Sequence, residues 1–334
     1  MPGKLRPEVL KSVVFPRTGL RDLRVVVGPK YGEDAAIIDL GAHVLVVHSD
    51  PITAAIDLVG WLAVHIASND VAVRGAKPSW LLSTILLPES EDYLKILEKI
   101  STQIDQAAKE IEAQVVGGHT EVTPELSRPI VVMTAMGVAP RSRYVTTSGA
   151  RVGDVVLMTK TVAIEGTAII ATDFEHRLAE RGVPKSVIES AKRFYTMVSV
   201  VREALRLAEL GVSSMHDPTE GGVIGGLVEI ANASNVKIVV YENSMPIAEE
   251  TRTICKALGV DPLKLISSGT LIATLSPKKA ENAIRILKSM GINASIVGKV
   301  VEGRGVEVHR VNGSVERVEE HVEDEIYRLW SEMK

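Results

Sequence analysis

Apolar positions along this chain follow two rhythms. Short runs rich in Val, Ile and Leu at residues 25–27, 35–40, 44–48, 80–87, 114–116 and 130–138 predict strands, set off by Gly and Pro. Between them lie two stretches of helical period. One covers 58–73, with Leu58, Leu62, Ile66 and Val73 available for a buried side. The other covers 93–113, with Leu94, Ile96, Leu97, Ile100, Ile104 and Ala108 on its apolar side. An Arg/Ser/Thr/Gly-rich stretch at 140–153 interrupts the pattern, and it then resumes. Strands are predicted at 154–158, 236–241, 271–275, 295–301 and 306–311. Helices are predicted across 165–210, from near Glu220, and at 248–258, 278–290 and 322–333. Both halves therefore read as α/β or α+β, and the expected division is into domains 1–145 and 146–334. No short-period repeat or low-complexity tract interrupts either half.

The length, 334 residues, exceeds what one ordinary core fills, which agrees with two domains. Aromatics make up only 4% of the chain, so the cores must rest on Val, Ile, Leu and Ala. Charge carries a different message. Thirty-eight basic against 42 acidic residues leave a net charge of −4, which argues against a nucleic-acid surface. A single cysteine, Cys255, cannot form an internal disulfide, and a cytoplasmic, reducing setting is the expectation. No run approaches the roughly 18 apolar residues of a membrane helix. The first residues, interrupted by Pro2, Pro7 and Pro16, are not expected to act as a signal peptide.

The common nucleotide-binding motifs are absent, as is zinc-ligand spacing of Cys and His. Three acidic residues stand at the ends of predicted elements or inside them. Asp34 lies in Gly32-Glu33-Asp34-Ala35-Ala36, Asp50 in His48-Ser49-Asp50-Pro51, and Asp70 in Ala67-Ser68-Asn69-Asp70-Val71. If they converge, their repulsion calls for a cation, since two carboxylates about 4 Å apart repel by about 4 kcal/mol at an effective dielectric of about 20. Oxygen-only ligands favour Mg²⁺ or Ca²⁺. Asp34 and Asp50 read equally well as turn or cap residues. Asp70 does not, because Asn-Asp inside an apolar helical pattern is locally unfavourable.

Taken in order, these segments resemble the amino-terminal domain of the AIR synthase superfamily. The matching residues are Gly32 to Ala36, Ser49-Asp50, Gly60-Trp61-Leu62-Ala63-Val64, Asn69-Asp70-Val71-Ala72 and Gly75-Ala76-Lys77-Pro78. The run Ser214-Met215-His216-Asp217-Pro218-Thr219-Glu220-Gly221-Gly222 looks most like the hydrogenase maturation factor HypE within that superfamily. The resemblance implies a two-domain PurM-like fold whose amino-terminal sheets pair between two subunits into a barrel. It also implies ATP in a cleft between the domains and across the homodimer, with Mg²⁺ held by Asp34, Asp50 and Asp70. Catalytic roles are implied for Asp70, Asp217 and His119. Nucleotide contacts are implied for Gly32, Asn69, Lys77, Gly118, Thr120, Gly221 and Gly222. The implied chemistry is γ-phosphate transfer to an amide or carbonyl oxygen, with no P-loop.

Four departures from HypE stand out. Gly117-Gly118-His119-Thr120-Glu121 replaces a Gly-Asp-Thr pattern; His119 reads equally as a turn histidine, and Glu121 offers a replacement oxygen. Ser268 stands where HypE carries an acid, and serine cannot act as a carboxylate base. The chain ends without a tail cysteine, and Cys255 sits in an apolar helical pattern where thiols are usually inert. Glu220 stands where HypE often has arginine, next to a helix start able to receive an anion.

Three readings follow. The first is an ATP-dependent enzyme related to HypE that acts on a free small-molecule substrate. The second is a small-molecule kinase of the thiamine-monophosphate kinase type. The third is a non-catalytic nucleotide-binding protein that serves a protein partner.

Overall fold

The structure, a computed structural model, describes residues 5–53 and 56–332. Pro2 and Met333, the expected end of the last helix, lie outside them. A short helical segment, α1 (Pro7–Val9) running on into residues Leu10–Val14, precedes the first sheet. That sheet contains β1 (Val25–Val27), β2 (Ala36–Asp39), β3 (His43–Ile52), β4 (Lys77–Pro88), β5 (Gln114–Thr123) and β6 (Ile130–Pro140). Its spatial order is β1-β2-β3-β6-β4-β5, antiparallel except for the β4–β5 pair.

Helix α2 (Val59–Ala72) packs on β3 and β6 and is flanked by α3 (Tyr93–Glu110). Its sequence is apolar on nearly every side, and every residue but Trp61 is buried. A helix that is apolar all round belongs inside a protein. The other helix, α3, is amphipathic and buries Ile100, Ile104, Ala107 and Ala108. Leu94, expected on its apolar side, is exposed.

The second sheet is built from β7 (Val155–Thr159), β8 (Ser214–His216), β9 (Lys237–Tyr241), β10 (Ile272–Leu275), β11 (Ala294–Val301), β12 (Gly305–His309) and β13 (Val315–Val318). The order is β13-β12-β9-β11-β7-β10-β8, antiparallel except for β12–β9. Around it lie α4 (Ile164–Asp173), α5 (Glu175–Glu180), α6 (Lys185–Lys192), α7 (Val201–Leu210), α8 (Gly222–Ser234), α9 (Glu249–Leu258), α10 (Pro277–Ser289) and α11 (Glu325–Ser331).

The sheets do not have sealed, separate cores. The apolar cluster under the first sheet continues through Val200, Ala204 and Leu207 of the α7 region to Met215 and Leu271 beside the second. Asn69 locks this junction: its side-chain amide donates to Val198 O at 2.8 Å, and its carbonyl accepts from Val200 N at 2.8 Å. Trp61 Nε1 adds a bond to Tyr195 O.

Three strand expectations needed correction. Strand β3 runs on through Asp50 to Ile52 because residues 50–52 find partners in Val131–Met133 of β6, so Asp50 lies within the strand rather than beyond it. Strand β5 reaches Thr123, since Gly117 to Glu121 pair with β4 although they lack apolar alternation. Strands β8 and β13 were not foreseen; β8 has three residues of mixed polarity, all buried at a sheet edge.

Candidate functional site

A cleft of about 600 Å³ opens where β3, α2 and the segment before β2 face α4, α11 and the loop before α8, with Leu10 and Phe15 of the amino-terminal segment also lining it. Each acidic residue arrives on a different element. Asp34 precedes β2, Asp50 lies on β3, Asp70 lies in the last turn of α2, and Asp217 follows β8. The first three line the cleft. Asp217 is buried, and an oxygen of its carboxylate lies within 4.8 Å of a ligand atom of Asp34.

The surroundings of these carboxylates are uneven. Asp34 is held by the fully buried Arg74, Nη2 to Oδ2 at 2.7 Å, and by His216 Nδ1 at 2.6 Å. Arg74 also donates to Glu33 at 3.1 Å and to Met215 O at 2.8 Å. Glu33 in turn accepts from the Thr147 and Ser148 amides, which joins the first sheet to the second. The second ring nitrogen of His216, Nε2, meets Glu229 at 2.7 Å. Burial works against charge on His216, but Asp34 and the hydrogen bonds to Asp34 and Glu229 raise its pKa well above the ordinary histidine value. Both ring nitrogens of His216 thus meet carboxylates, and one of its nitrogens lies within 4.8 Å of ligand oxygens of Asp34 and Asp217.

For Asp70 and Asp217 the help from His216 and Arg74 is outweighed. Burial, then Asp34 and Asp50, pushes the Asp70 carboxyl well above the usual carboxylate range; His48 Nε2 approaches it at 3.2 Å. Asp217 is raised in the same way, by burial and then by Asp70 and Asp34. Neither Asp217 oxygen has a hydrogen-bond partner. A buried, unpartnered carboxylate is costly, and such groups are normally paired or coordinate a cation. The donor set left over is oxygen only, from Asp34, Asp50, Asp70 and Asp217, which suits a hard divalent ion such as Mg²⁺.

Other expected residues lie elsewhere. Gly32 lines the cleft; its φ of +80° and the approach of Glu229 O, 3.3 Å from where a Cβ would sit, suit glycine. Asn69 is committed to Val198 and Val200, which corrects the expectation that it contacts nucleotide. Gly221 N donates to Asp324 Oδ2 at 2.7 Å, and Gly222 N to Thr219 O. The start of α8 is thus capped internally and does not offer those amides to the cleft, which corrects a second expectation. Lys77 pairs with Glu112 on the surface. Gly118, His119 and Thr120 lie on edge strand β5, outside the cleft of their own subunit, where His119 Nε2 meets Glu121 at 3.0 Å. Their distance from the cleft corrects any role for them in that cleft.

Ser268, singled out in the sequence, lines the opposite wall together with one residue that was not foreseen, Glu165. Glu165 opens α4 and is 5% exposed, and Ser268 lies fully buried beside it. The only hint in the sequence was an acid in the otherwise apolar stretch Val162 to Ile170. Burial pushes Glu165 up to about 7; the neighbouring Ser268 hydroxyl acts against this, and Asp324, Asp50 and Glu220 add to it.

With this geometry in view, known proteins place the chain. Residues 32–139 match the AIR synthase related protein N-terminal domain, and 151–311 match its C-terminal domain. The chain belongs to the AIR synthase related family. Among relatives, carbamoyl dehydratase HypE of Cupriavidus necator is 30% identical over 73% of this chain and 68% of that protein. HupE of Azotobacter chroococcum, a hydrogenase expression/formation protein, is 30% identical over 73% of this chain and 70% of its own length. Among solved structures, a HypE–HypF complex aligns at a TM-score of 0.76 and 25% identity, covering 93% of this chain and 99% of that one. HypE in complex with ATP aligns at 0.72 and 27%, covering 86% and 88%. The AIR synthase related chain is therefore HypE-like in fold over nearly its full length, and the family supports an ATP-using protein.

Proposed function

We propose that the cleft binds ATP with Mg²⁺ and that the protein phosphorylates an amide or carbonyl oxygen of a small acceptor, with release of ADP. The observation that carries this reading is the unpartnered Asp217 carboxylate among Asp34, Asp50 and Asp70. Asp34, Asp50, Asp70 and Asp217 would hold the metal, which would supply positive charge against the nucleotide phosphates. Arg74 and His216 hold the Asp34 carboxylate in place. Asp70, buried and crowded, binds the metal rather than acting as a proton carrier. The HypE complex with ATP supports the nucleotide.

We take the working unit to be a homodimer. Trp80 and Leu82 are exposed on the outer face of β4, Val115, Val116 and Val122 are exposed along β5, and β5 has an open edge. Pairing there would let Lys77, Gly118, His119 and Thr120 reach the partner's cleft. The HypE–HypF complex supports a protein partner as well. Cys255 is buried, and burial pushes its thiol up to about 12, so it is no candidate to carry an acceptor group.

The test is ADP formation from Mg²⁺–ATP across small amides, aldehydes and phosphorylated metabolites. Acceptor-dependent ADP is the expected result; nucleotide binding with no ADP from any acceptor favours the non-catalytic reading.

A further inference from the structure

The wall opposite the carboxylates is built with care around one acid. Ala163 takes a left-handed conformation (φ 54°), and its amide donates to Ser267 Oγ at 2.7 Å. Gly166 N donates to Ile266 O at 3.0 Å, and a Cβ there would fall 2.4 Å from Leu265 Cγ. Together these contacts press the start of α4 against the loop from Leu265 to Thr270. Glu165 is thereby fixed beside Ser268, and both line the cleft. The Ser268 hydroxyl is directed at the Glu165 carboxyl, but beyond this contact neither Glu165 Oε2 nor Ser268 Oγ makes a well-formed hydrogen bond to the described residues, although both are buried. Buried polar atoms are nearly always fully satisfied, so a carboxyl–hydroxyl pair on a cleft wall with little but each other for partners has bonding capacity left for a ligand. Tyr327 and Trp330 of α11 supply aromatic surface on the same wall, and the Tyr327 hydroxyl donates to Glu220.

We propose that Glu165 is the proton acceptor of the acceptor subsite and that Ser268 orients the acceptor against it. The subsite takes an uncharged group with an N–H or O–H proton to lose. This deepens the function proposed above and rests on it. An anionic acceptor is disfavoured, because Glu165, Glu220 and Asp324 all lie on this side. For a carboxamide, the carbonyl oxygen bonds to the γ-phosphorus as the bridging P–O bond breaks. The electron pair of that bond leaves on ADP, and the amide N–H proton passes to Glu165. With water or an alcohol as acceptor, the O–H proton takes the same path. Proton transfer of this kind is worth about 10²–10⁴-fold in rate when the acid is poised near the working pH. Burial and the facing groups Asp50, Glu220, Asp324 and Tyr327 poise Glu165 in that range.

The test uses Mg²⁺–ATP with water alone, formamide, acetamide or urea as acceptor. Glu165→Gln should keep the Mg²⁺–ATP thermal stabilisation of the wild type and lose about 100-fold or more of ADP formation. Glu165→Asp should restore part of it, and the acidic limb of the wild-type pH profile should vanish in Glu165→Gln. In the protein without nucleotide, dicyclohexylcarbodiimide below neutral pH should modify Glu165, as read by peptide mass spectrometry. ADP formation by Glu165→Gln within threefold of wild type would overturn the proposal. So would an unmodified Glu165, or a wild type stabilised by Mg²⁺–ATP that makes no ADP with any probe. A wild type that Mg²⁺–ATP does not stabilise would instead remove the nucleotide reading itself.

Discussion

Arg74 and Asp34 form a buried ion pair, Nη2 to Oδ2 at 2.7 Å, that fixes one carboxylate of the cleft from beneath. The pair belongs to the fold and to the site at once. Arg74 ends the α2 region, Asp34 opens β2, and the same guanidinium holds Glu33 and the Met215 carbonyl.

Removing the guanidinium leaves Glu33 and Asp34 buried without their main counter-charge. Breaking a buried pair in this way typically costs about 3–5 kcal/mol. Arg74→Met is therefore expected to lower the urea midpoint of unfolding sharply, with an unchanged denaturant slope. An unchanged midpoint would show that the network is not a stability element.

Asp217 predicts the opposite balance. Its oxygens make no hydrogen bonds, and its neighbours are other carboxylates. Asp217→Asn should leave the nucleotide-free protein as stable as wild type or more so, since it removes a buried like-charge contact. The same variant should lose stabilisation by Mg²⁺–ATP. Thermal melts with and without Mg²⁺–ATP read both effects, and a variant destabilised in both states would contradict this assignment.

His65 sets a third expectation. It is fully buried against Trp61, with ring centroids 4.5 Å apart and both nitrogens unpartnered. Burial, helped by Lys160, pushes its pKa down to about 4. A folded-state value below the unfolded one means that the unfolded chain binds the proton first. The stability contributed is complete above about pH 6.5 and falls as the pH drops toward 4. Between pH 6.5 and 5 the wild type should lose about 2 kcal/mol more than His65→Leu. Urea titrations at the two pH values check this, and parallel losses in the two proteins would contradict it.

The exposed apolar residues of β4 and β5 give a fourth. Leu82→Lys and Val116→Asp each place a charge on a surface that the dimer would bury. Either should shift the protein to monomer in light scattering coupled to size exclusion, with unfolding midpoints close to those of wild type. A wild type that is already monomeric at micromolar concentration would contradict the dimer.

The sequence was informative where pattern and burial coincide. The apolar stretch 58–73 became the buried α2, and the acids beside or within strong elements, Asp34, Asp50 and Asp70, came together at one cleft. Legibility failed where partners far along the chain decide the outcome. Asn69 looked like a ligand because it is polar inside an apolar helix, but its partners are backbone groups at Val198 and Val200. The Gly221-Gly222 turn looked open to an anion, but Asp324, about a hundred residues further on, caps it. Glu165 went unremarked because its meaning depends on Ser268, which only the packing of α4 on the Leu265–Thr270 loop reveals.

The central claim is that Asp34, Asp50, Asp70 and Asp217 bind nucleotide phosphates through a divalent metal. Calorimetric titration of ATP into the wild type and into Asp70→Asn, each with Mg²⁺ and with EDTA, tests it most directly. The account predicts tight binding for the wild type with Mg²⁺ alone, and weak binding in the other three cases. Equal affinity in EDTA, or an Asp70→Asn variant that binds Mg²⁺–ATP as the wild type does, would contradict it.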